Sequence, residues 1–214
     1  MTQYNDAERQ AGTLILLDLK MFNEAAVFFE QHISPAFWKG LDQCVERFTK
    51  ANNWAGVSNY EQREYLWLAH PAWVIKDDNC KYWFENYSSV GKGNDYALAV
   101  ITGSGTEQGE FGFQFKLNAG CFGGTKKLNA YVNTIVQGYR EQLVNLGFID
   151  QGKGNFFLPI TLGSNQLAEC WREYGEFPEE HEVFTPIRNA LEKLLQSTDV
   201  FDAIFLSEAE HTEN

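Results

Sequence analysis

A glycine-rich segment followed by two lysines, Gly120-Cys-Phe-Gly-Gly-Thr-Lys-Lys, is one place where this chain of 214 residues could bind an anion. Glycines leave backbone amides uncovered and Thr125 is a suitable N-cap, so the segment predicts a turn that leads into a helix. Amides at a helix N-terminus and lysine ammonium groups attract phosphate. An ordinary strand-to-helix turn is the alternative, because the order of Thr and Lys differs from that of a P-loop. The candidate anion-binding residues are Gly123, Gly124, Thr125, Lys126 and Lys127.

A second candidate site combines an acid, an amide and a lysine. Segments 95–102 and 110–117 have strand-like sequences and flank a glycine-containing loop. If they pair as a hairpin, Asp95 lies opposite Lys116, with Gln114 on the same face of the sheet. A cross-strand ion pair on a solvated face is the alternative interpretation of the same pattern.

This arrangement resembles the core of the PD-(D/E)XK nucleases, in which an acid on one strand faces an acid-x-Lys pattern on the next, followed by a helix and a strand. The resemblance covers residues 73–162. It implies a divalent metal held by acidic side chains and a lysine that stabilises charge, which would make Asp95, Gln114 and Lys116 catalytic. Gln114 stands where the family has its second acid, which weakens metal binding, and the negative net charge also counts against this function.

The negative charge of the chain is concentrated towards its C-terminal end. The net charge is −12, and residues 169–214 hold 12 of the 29 acidic residues but only three basic ones. Such a field repels phosphate groups and membrane surfaces and attracts basic partners. The candidate binding residues are the glutamates of one cluster: Glu173, Glu176, Glu179, Glu180 and Glu182.

We therefore expect a non-enzymatic, acidic protein-binding module whose partner offers a basic protein surface, with no direct contact to nucleic acid. An inhibitor or antagonist of a nucleic-acid-processing protein would use this charge well, because carboxylates can imitate the spacing of phosphates. A solvated acidic loop without a partner is the alternative. The other two functional hypotheses are the metal-dependent nuclease and a phosphate or nucleotide sensor that uses the 120–127 turn. We expect no cofactor and no metal site.

The four cysteines, Cys44, Cys80, Cys121 and Cys170, are too far apart in sequence to form the closely spaced pairs of zinc or redox motifs. The start of the chain lacks a signal peptide, and its apolar run at 14–17 is too short to span a membrane. We therefore expect free thiols and a cytoplasmic protein.

The hydrophobic patterns predict one α+β domain over residues 1–214. Helices fill residues 1–70, a mostly antiparallel sheet of about five strands fills 72–162, and one crossing helix runs over 125–146. Residues 163–206 form an acidic helical part and 207–214 a flexible tail.

Three segments carry the more detailed predictions. Segment 7–31 is a helix with Leu14, Leu17 and Met21 on its apolar face. Segment 60–69 is a short helix, and 156–162 is an edge strand, because Pro159 cannot donate a ladder hydrogen bond.

Overall fold

The computed structural model describes residues 4–76, 79–89, 95–106 and 109–210. The helices are α1 (Asp6–Leu17), α2 (Leu19–Phe28), α3 (Ser34–Asn52), α4 (Tyr60–Arg63), α5 (Ala97–Ile101), α6 (Thr125–Val132), α7 (Gln137–Asn145), α8 (Ser164–Tyr174) and α9 (Thr185–Glu210). The strands are β1 (Ala55–Asn59), β2 (Tyr65–Ala69), β3 (Val74–Lys76), β4 (Asn79–Cys80), β5 (Tyr82–Ser89), β6 (Glu110–Leu117), β7 (Ile149–Gly152) and β8 (Asn155–Pro159).

An antiparallel six-stranded sheet organises the fold, in the order β1-β2-β5-β6-β8-β7, and β3 pairs with β4 in a separate small sheet. The α+β class with helices before and after the sheet is therefore confirmed. Strand β6 has the predicted bounds, because its phenylalanines alternate with smaller or polar residues at the period of a strand.

One face of the sheet packs against helices. The ring of Phe201 on α9 stacks on that of Phe115 on β6, with 3.9 Å between centroids. Both rings are fully buried. The carboxylate of Asp202, also on α9, accepts hydrogen bonds from Trp73 Nε1 at 2.6 Å and from the Tyr82 hydroxyl at 2.8 Å. Aromatic packing and these bonds together hold α9 to the sheet.

The secondary structure of two segments differs from the prediction. Segment 60–69 is not one short helix, because only Tyr60–Arg63 is helical (α4) and Tyr65–Ala69 is the strand β2. Segment 95–102 contains the short helix α5, in which Leu98, Val100 and Ile101 are buried. A run of apolar residues this short satisfies either a buried strand or a buried helix, so periodicity could not distinguish them.

The predicted crossing helix at 125–146 is two helices, α6 and α7. The guanidinium of Arg140 on α7 donates to the Val132 carbonyl at the end of α6, at 2.9 Å, and its other nitrogen contacts Asp150 Oδ2 at 2.5 Å. Arg140 therefore satisfies a helix-end carbonyl and stabilises the break.

The prediction of an edge strand around Pro159 is also wrong, because β8 lies between β6 and β7. Pro159 is tolerated because β7 pairs with β8 only as far as Phe157. At the end of the chain, the backbone of α9 continues to Glu210, so the predicted tail at 207–214 begins as helix. Its last four residues lie outside the described part.

Helices α1 and α2 form an exposed extension, called here the apolar arm (residues 6–28). A capping box of Asn5 and Glu8 begins α1, and Asp18 separates the two helices and caps α2. All residues of the arm are exposed except Gly12 and Ala26, which are half-buried. The predicted apolar face with Leu14, Leu17 and Met21 is therefore exposed. Its exposed large apolar side chains are Leu14, Ile15, Leu16, Leu17, Leu19, Met21, Phe22, Val27 and Phe28.

The arm joins α3 without a break in helical structure. A single π-helical turn, Phe29–Ile33, connects them, and the Ser34 N–H donates to the Phe29 carbonyl five residues earlier. The wider turn accommodates Pro35, which has no N–H to donate.

Candidate functional site

The hairpin that would place Asp95 opposite Lys116 does not form. Asp95 lies before α5, where its carboxylate accepts hydrogen bonds from the backbone N–H and the hydroxyl of Thr106, at 2.9 and 2.8 Å. Strand β6 pairs instead with β5, so Lys116 is opposite Trp83 and Gln114 is opposite Glu85. The constellation of Asp95, Gln114 and Lys116 is therefore not assembled.

Lys116 and Gln114 have other partners. Lys116 Nζ forms an ion pair with Glu85 Oε1 at 3.0 Å, and Gln114 Nε2 donates to Gln151 Oε1 at 3.1 Å. These side chains lie on the face of the sheet opposite to the one that packs against α9. The acid next to Lys116 comes from β5 and is already paired with the lysine.

The predicted anion-binding turn uses part of its own backbone. The N–H of Gly124 donates to the Ala119 carbonyl at 2.8 Å, and that of Gly123 donates to Gly120 at 3.3 Å. The φ angle is +71° at Gly123 and +97° at Gly124, and positive values suit a tight turn. These two amides are therefore not available to an anion.

The lysines of the turn differ in position. The side chain of Lys127 lies over Gly123, that of Lys126 does not, and both lysines and Thr125 are exposed. Neither lysine forms an ion pair with any described residue. The phosphate or nucleotide sensor stays a prediction that would depend on these side chains.

The acidic cluster spans the end of α8 and the connection from α8 to α9, a segment called here the acidic loop (residues 173–182). Glu173, Glu176, Glu180 and Glu182 are exposed, and Glu179 is half-buried. Arg47 on α3 reaches both central glutamates, with Nη1 at 2.5 Å from Glu180 Oε1 and 3.3 Å from Glu179 Oε1. This arginine holds the pKa of the Glu180 carboxyl below its usual value.

The backbone of the acidic loop is anchored to the helices beneath it. Arg188 Nη1 on α9 donates to the carbonyls of Glu179 and His181, at 2.8 and 3.1 Å. The thiol of Cys44 on α3 donates to the Glu179 carbonyl at 3.2 Å. The backbone of the loop is therefore held in place at Glu179 and His181.

Close packing also fixes the acidic loop against α3. Phe177 is buried, and its carbonyl oxygen would lie only 2.4 Å from a Cβ atom on Gly40. Burial raises the pKa of the neighbouring Cys44 thiol to about 11. This thiol is therefore a protonated hydrogen-bond donor at neutral pH.

A cleft of about 400 Å³ lies beside the Glu85–Lys116 pair, on the same face of the sheet. Tyr65, Trp67 and Trp83 supply aromatic walls, and Arg63 supplies a positive charge. Within the described chain, neither Arg63 nor the Trp67 indole N–H has a hydrogen-bond partner. The cleft can therefore offer stacking surfaces together with unused donors.

Sequence analysis missed the cleft and the exposure of the apolar arm. Isolated tryptophans and tyrosines gave no signal for the cleft, because such residues are usually part of a core. The arm did carry a signal. Four consecutive large apolar residues at 14–17 place apolar side chains on all sides of a helix, unlike a stripe that faces a core.

Comparisons with protein-family models, with curated proteins and with solved structures gave no match for this chain. Among the described residues, no group of three or more His, Cys, Asp and Glu side chains is arranged to hold a metal ion. None of the described helices has both the length and the apolar composition that a membrane span needs.

Proposed function

We propose that this protein is a non-catalytic binding module that recognises a basic protein surface through its acidic loop. The observation that supports this function is the anchoring of the loop. Hydrogen bonds from Arg188 and Cys44 hold its backbone at Glu179 and His181, so that part of the loop is ordered before a partner arrives. Binding then costs less ordering of the backbone than a flexible acidic segment would require.

Charge supports the same proposal. Arg47 neutralises part of the central pair, but Glu173, Glu176 and Glu182 remain exposed without an ion pair to any described residue. A basic partner would bind these three and compete with Arg47 for Glu179 and Glu180. An acidic surface of this kind is suited to an inhibitor or antagonist that occupies the nucleic-acid-binding groove of another protein.

A cytoplasmic location is part of the proposal. All four cysteines are free, and three of them are buried. Free thiols are typical of proteins in a reducing compartment.

The test is binding to a Lys/Arg-rich peptide, measured by fluorescence anisotropy between about 50 and 500 mM NaCl. The variant Glu173→Gln/Glu176→Gln/Glu182→Gln should bind about three- to 150-fold more weakly at low salt, because each of the three exposed ion pairs contributes about 0.2–1 kcal/mol. This difference should shrink as salt is added.

The matched control changes three exposed acids outside the loop: Glu61→Gln/Glu110→Gln/Glu141→Gln. It has the same net charge as the loop variant and should bind nearly as well as the unmodified protein. Equal losses in the two variants would mean that the peptide responds to net charge alone, and the acidic loop would not be the binding site.

Small-molecule binding in the cleft is a second candidate function, favoured by the unpaired Arg63 beside the aromatic walls. A planar ring could stack on Trp67 or Trp83 while an anionic group meets the guanidinium. Calorimetric titration with 4-hydroxybenzoate tests this class of ligand. Arg63→Gln should reduce the affinity about tenfold, whereas the exposed Arg172→Gln should leave it unchanged. Absence of heat with the unmodified protein would remove this candidate.

A further inference from the structure

We propose that the apolar arm is a dimerisation element, and that it binds the arm of a second copy of this chain. The two arms would run antiparallel around a two-fold axis near Leu19. This inference does not depend on the acidic loop or on the cleft.

The exposed area of the arm has the size that a dimer requires. Its nine large apolar side chains are between 40% and 79% exposed. A large side chain has a surface of about 200 Å², so together they expose roughly 900 Å². A standard protein–protein interface buries about 800 Å² on each partner. The apolar surface exposed by one arm is therefore similar in size to one side of a standard interface.

The part of the arm that contains the apolar run also lacks charged side chains. Residues 10–17 contain no charged side chain. A helix of this length depends on burial for most of its stability, yet neither α1 nor α2 has a buried residue. A second helix that covers the apolar side chains would supply the missing burial.

An apolar groove continues the proposed interface onto the body of the protein. It has a volume of about 430 Å³ and is lined by Phe22, Ala25 and Ala26 of the arm together with Tyr96 and Leu98. With the axis at Leu19, the apolar run at 14–17 of one copy lies alongside residues 21–24 of the other, at this groove. Each copy thus provides both the protruding side chains and the groove, as an isologous interface requires.

The charges at the centre favour an antiparallel pair of arms. Asp18 of one copy lies opposite Lys20 of the other, and the arrangement repeats across the axis. A parallel pair in register would instead place Asp18 against Asp18. Opposite charges across the interface favour the first orientation and disfavour the second.

A membrane surface fits the arm less well. Arg9 and Lys20 are its only basic residues, whereas helices that lie on anionic lipid carry several Lys or Arg on the polar face. The net charge of −12 also opposes an approach to anionic lipid. The second copy, whose surface matches by symmetry, is therefore the occupant that we propose.

Sedimentation velocity at about 1–100 µM protein tests the proposal. The unmodified protein should show a concentration-dependent dimer. Leu16→Glu/Leu17→Glu should be monomeric over the same range, because it places four negative charges in the interface of the pair. Both residues are more than 70% exposed, so the melting temperature measured at low concentration should not change. Val136→Glu/Val144→Glu, which alters exposed valines outside the arm, should still dimerise.

Disulfide cross-linking tests the position of the axis. Leu19→Cys should form a covalent dimer under mild oxidation, since two residues at a two-fold axis can bring their Cα atoms within disulfide range. Val136→Cys is the matched control and should not cross-link at the same concentration.

Three results would overturn the proposal. One is a protein that stays monomeric up to about 100 µM. Another is a dimer that survives Leu16→Glu/Leu17→Glu. The third is an arm-dependent association with phosphatidylserine vesicles by a protein that remains monomeric in solution, which would assign the arm to a lipid surface.

Discussion

Replacing Asp42 by alanine should destabilise the protein by about 3–5 kcal/mol, because this carboxylate serves three donors. Asp42 lies on α3 and is only 9% exposed. Its Oδ1 accepts from the Ser58 hydroxyl at 2.6 Å and from the Tyr60 N–H at 2.9 Å, and its Oδ2 accepts from the Glu61 N–H at 3.0 Å. It thus joins α3 to the end of β1 and the start of α4.

The size of this loss in stability follows from the backbone amides that lose their acceptor when Asp42 becomes alanine. The amides of Tyr60 and Glu61 belong to the first turn of α4 and have no partner inside that helix. A hydrogen bond to a charged group contributes about 1.5–3 kcal/mol, and a buried amide left without a partner costs about 1–3 kcal/mol. Water reaching the partly exposed Glu61 lowers the total, which gives the stated range.

Urea unfolding followed by tryptophan fluorescence would measure the change, and the melting temperature should fall by roughly 10 °C for a chain of this length. Asp42→Asn keeps one oxygen and should cost about half as much. Ser58→Ala leaves both amides satisfied and should cost about 1 kcal/mol. Asp199→Ala, at an exposed position on α9, should have almost no effect. A loss below about 1 kcal/mol for Asp42→Ala would refute the reasoning.

The remaining predictions concern one titration and two packing contacts. The pKa of the Cys44 thiol is about 11, raised from 9.0 by burial, so the stability it contributes is complete below pH 9 and is lost as the pH rises towards 11. Unfolding free energies should fall by about 2 kcal/mol more in that window than for Cys44→Ala, and equal pH slopes would contradict this cause. Gly40→Ala should lower the free energy of unfolding by about 2 kcal/mol or more, because the new methyl group displaces Phe177. Gly138→Ala is the control and should not destabilise the protein, because its methyl group meets no atom within 4 Å. Equal melting temperatures for the two variants would contradict the clash. Phe201→Ala should cost about 3–5 kcal/mol in urea unfolding, and a cost near zero would show that its ring is not central to the core.

Hydrophobic patterns predicted those parts of the fold in which the spacing of apolar residues fits only a strand or only a helix. Phe111, Phe113 and Phe115 alternate over a segment long enough to exclude a helix, and β6 has the predicted bounds. The prediction for segment 95–102 failed because the five residues of α5, three of them buried, look like a short strand. The crossing helix failed because Arg140, whose bonds to Val132 and Asp150 stabilise the break, acts through tertiary structure.

The candidate sites divide in the same way. The sequence indicated that the glutamates of residues 173–182 form an acidic segment, but it contained no sign that Arg47, more than 130 residues away, pairs with two of them. Sequence reasoning also paired Lys116 with the wrong acid. The β5–β6 register depends on a long connection whose length and content do not fix the pairing.

The π-helical turn at Phe29–Ile33 has a geometric consequence for evolution and for engineering. Each residue advances a helix by about 100°, and this turn holds one residue more than an α-helical turn. The resulting direction of the arm is fixed by Phe29 against Tyr96, with ring centroids 4.8 Å apart, and by the Tyr96 hydroxyl, which donates to Glu30 at 2.7 Å. Deletion of one residue here would leave the sequence of the arm intact while rotating it by roughly a quarter of a circle. The number of residues in the turn sets the rotation of the arm about the helix axis, so this segment should tolerate substitutions far better than changes in length.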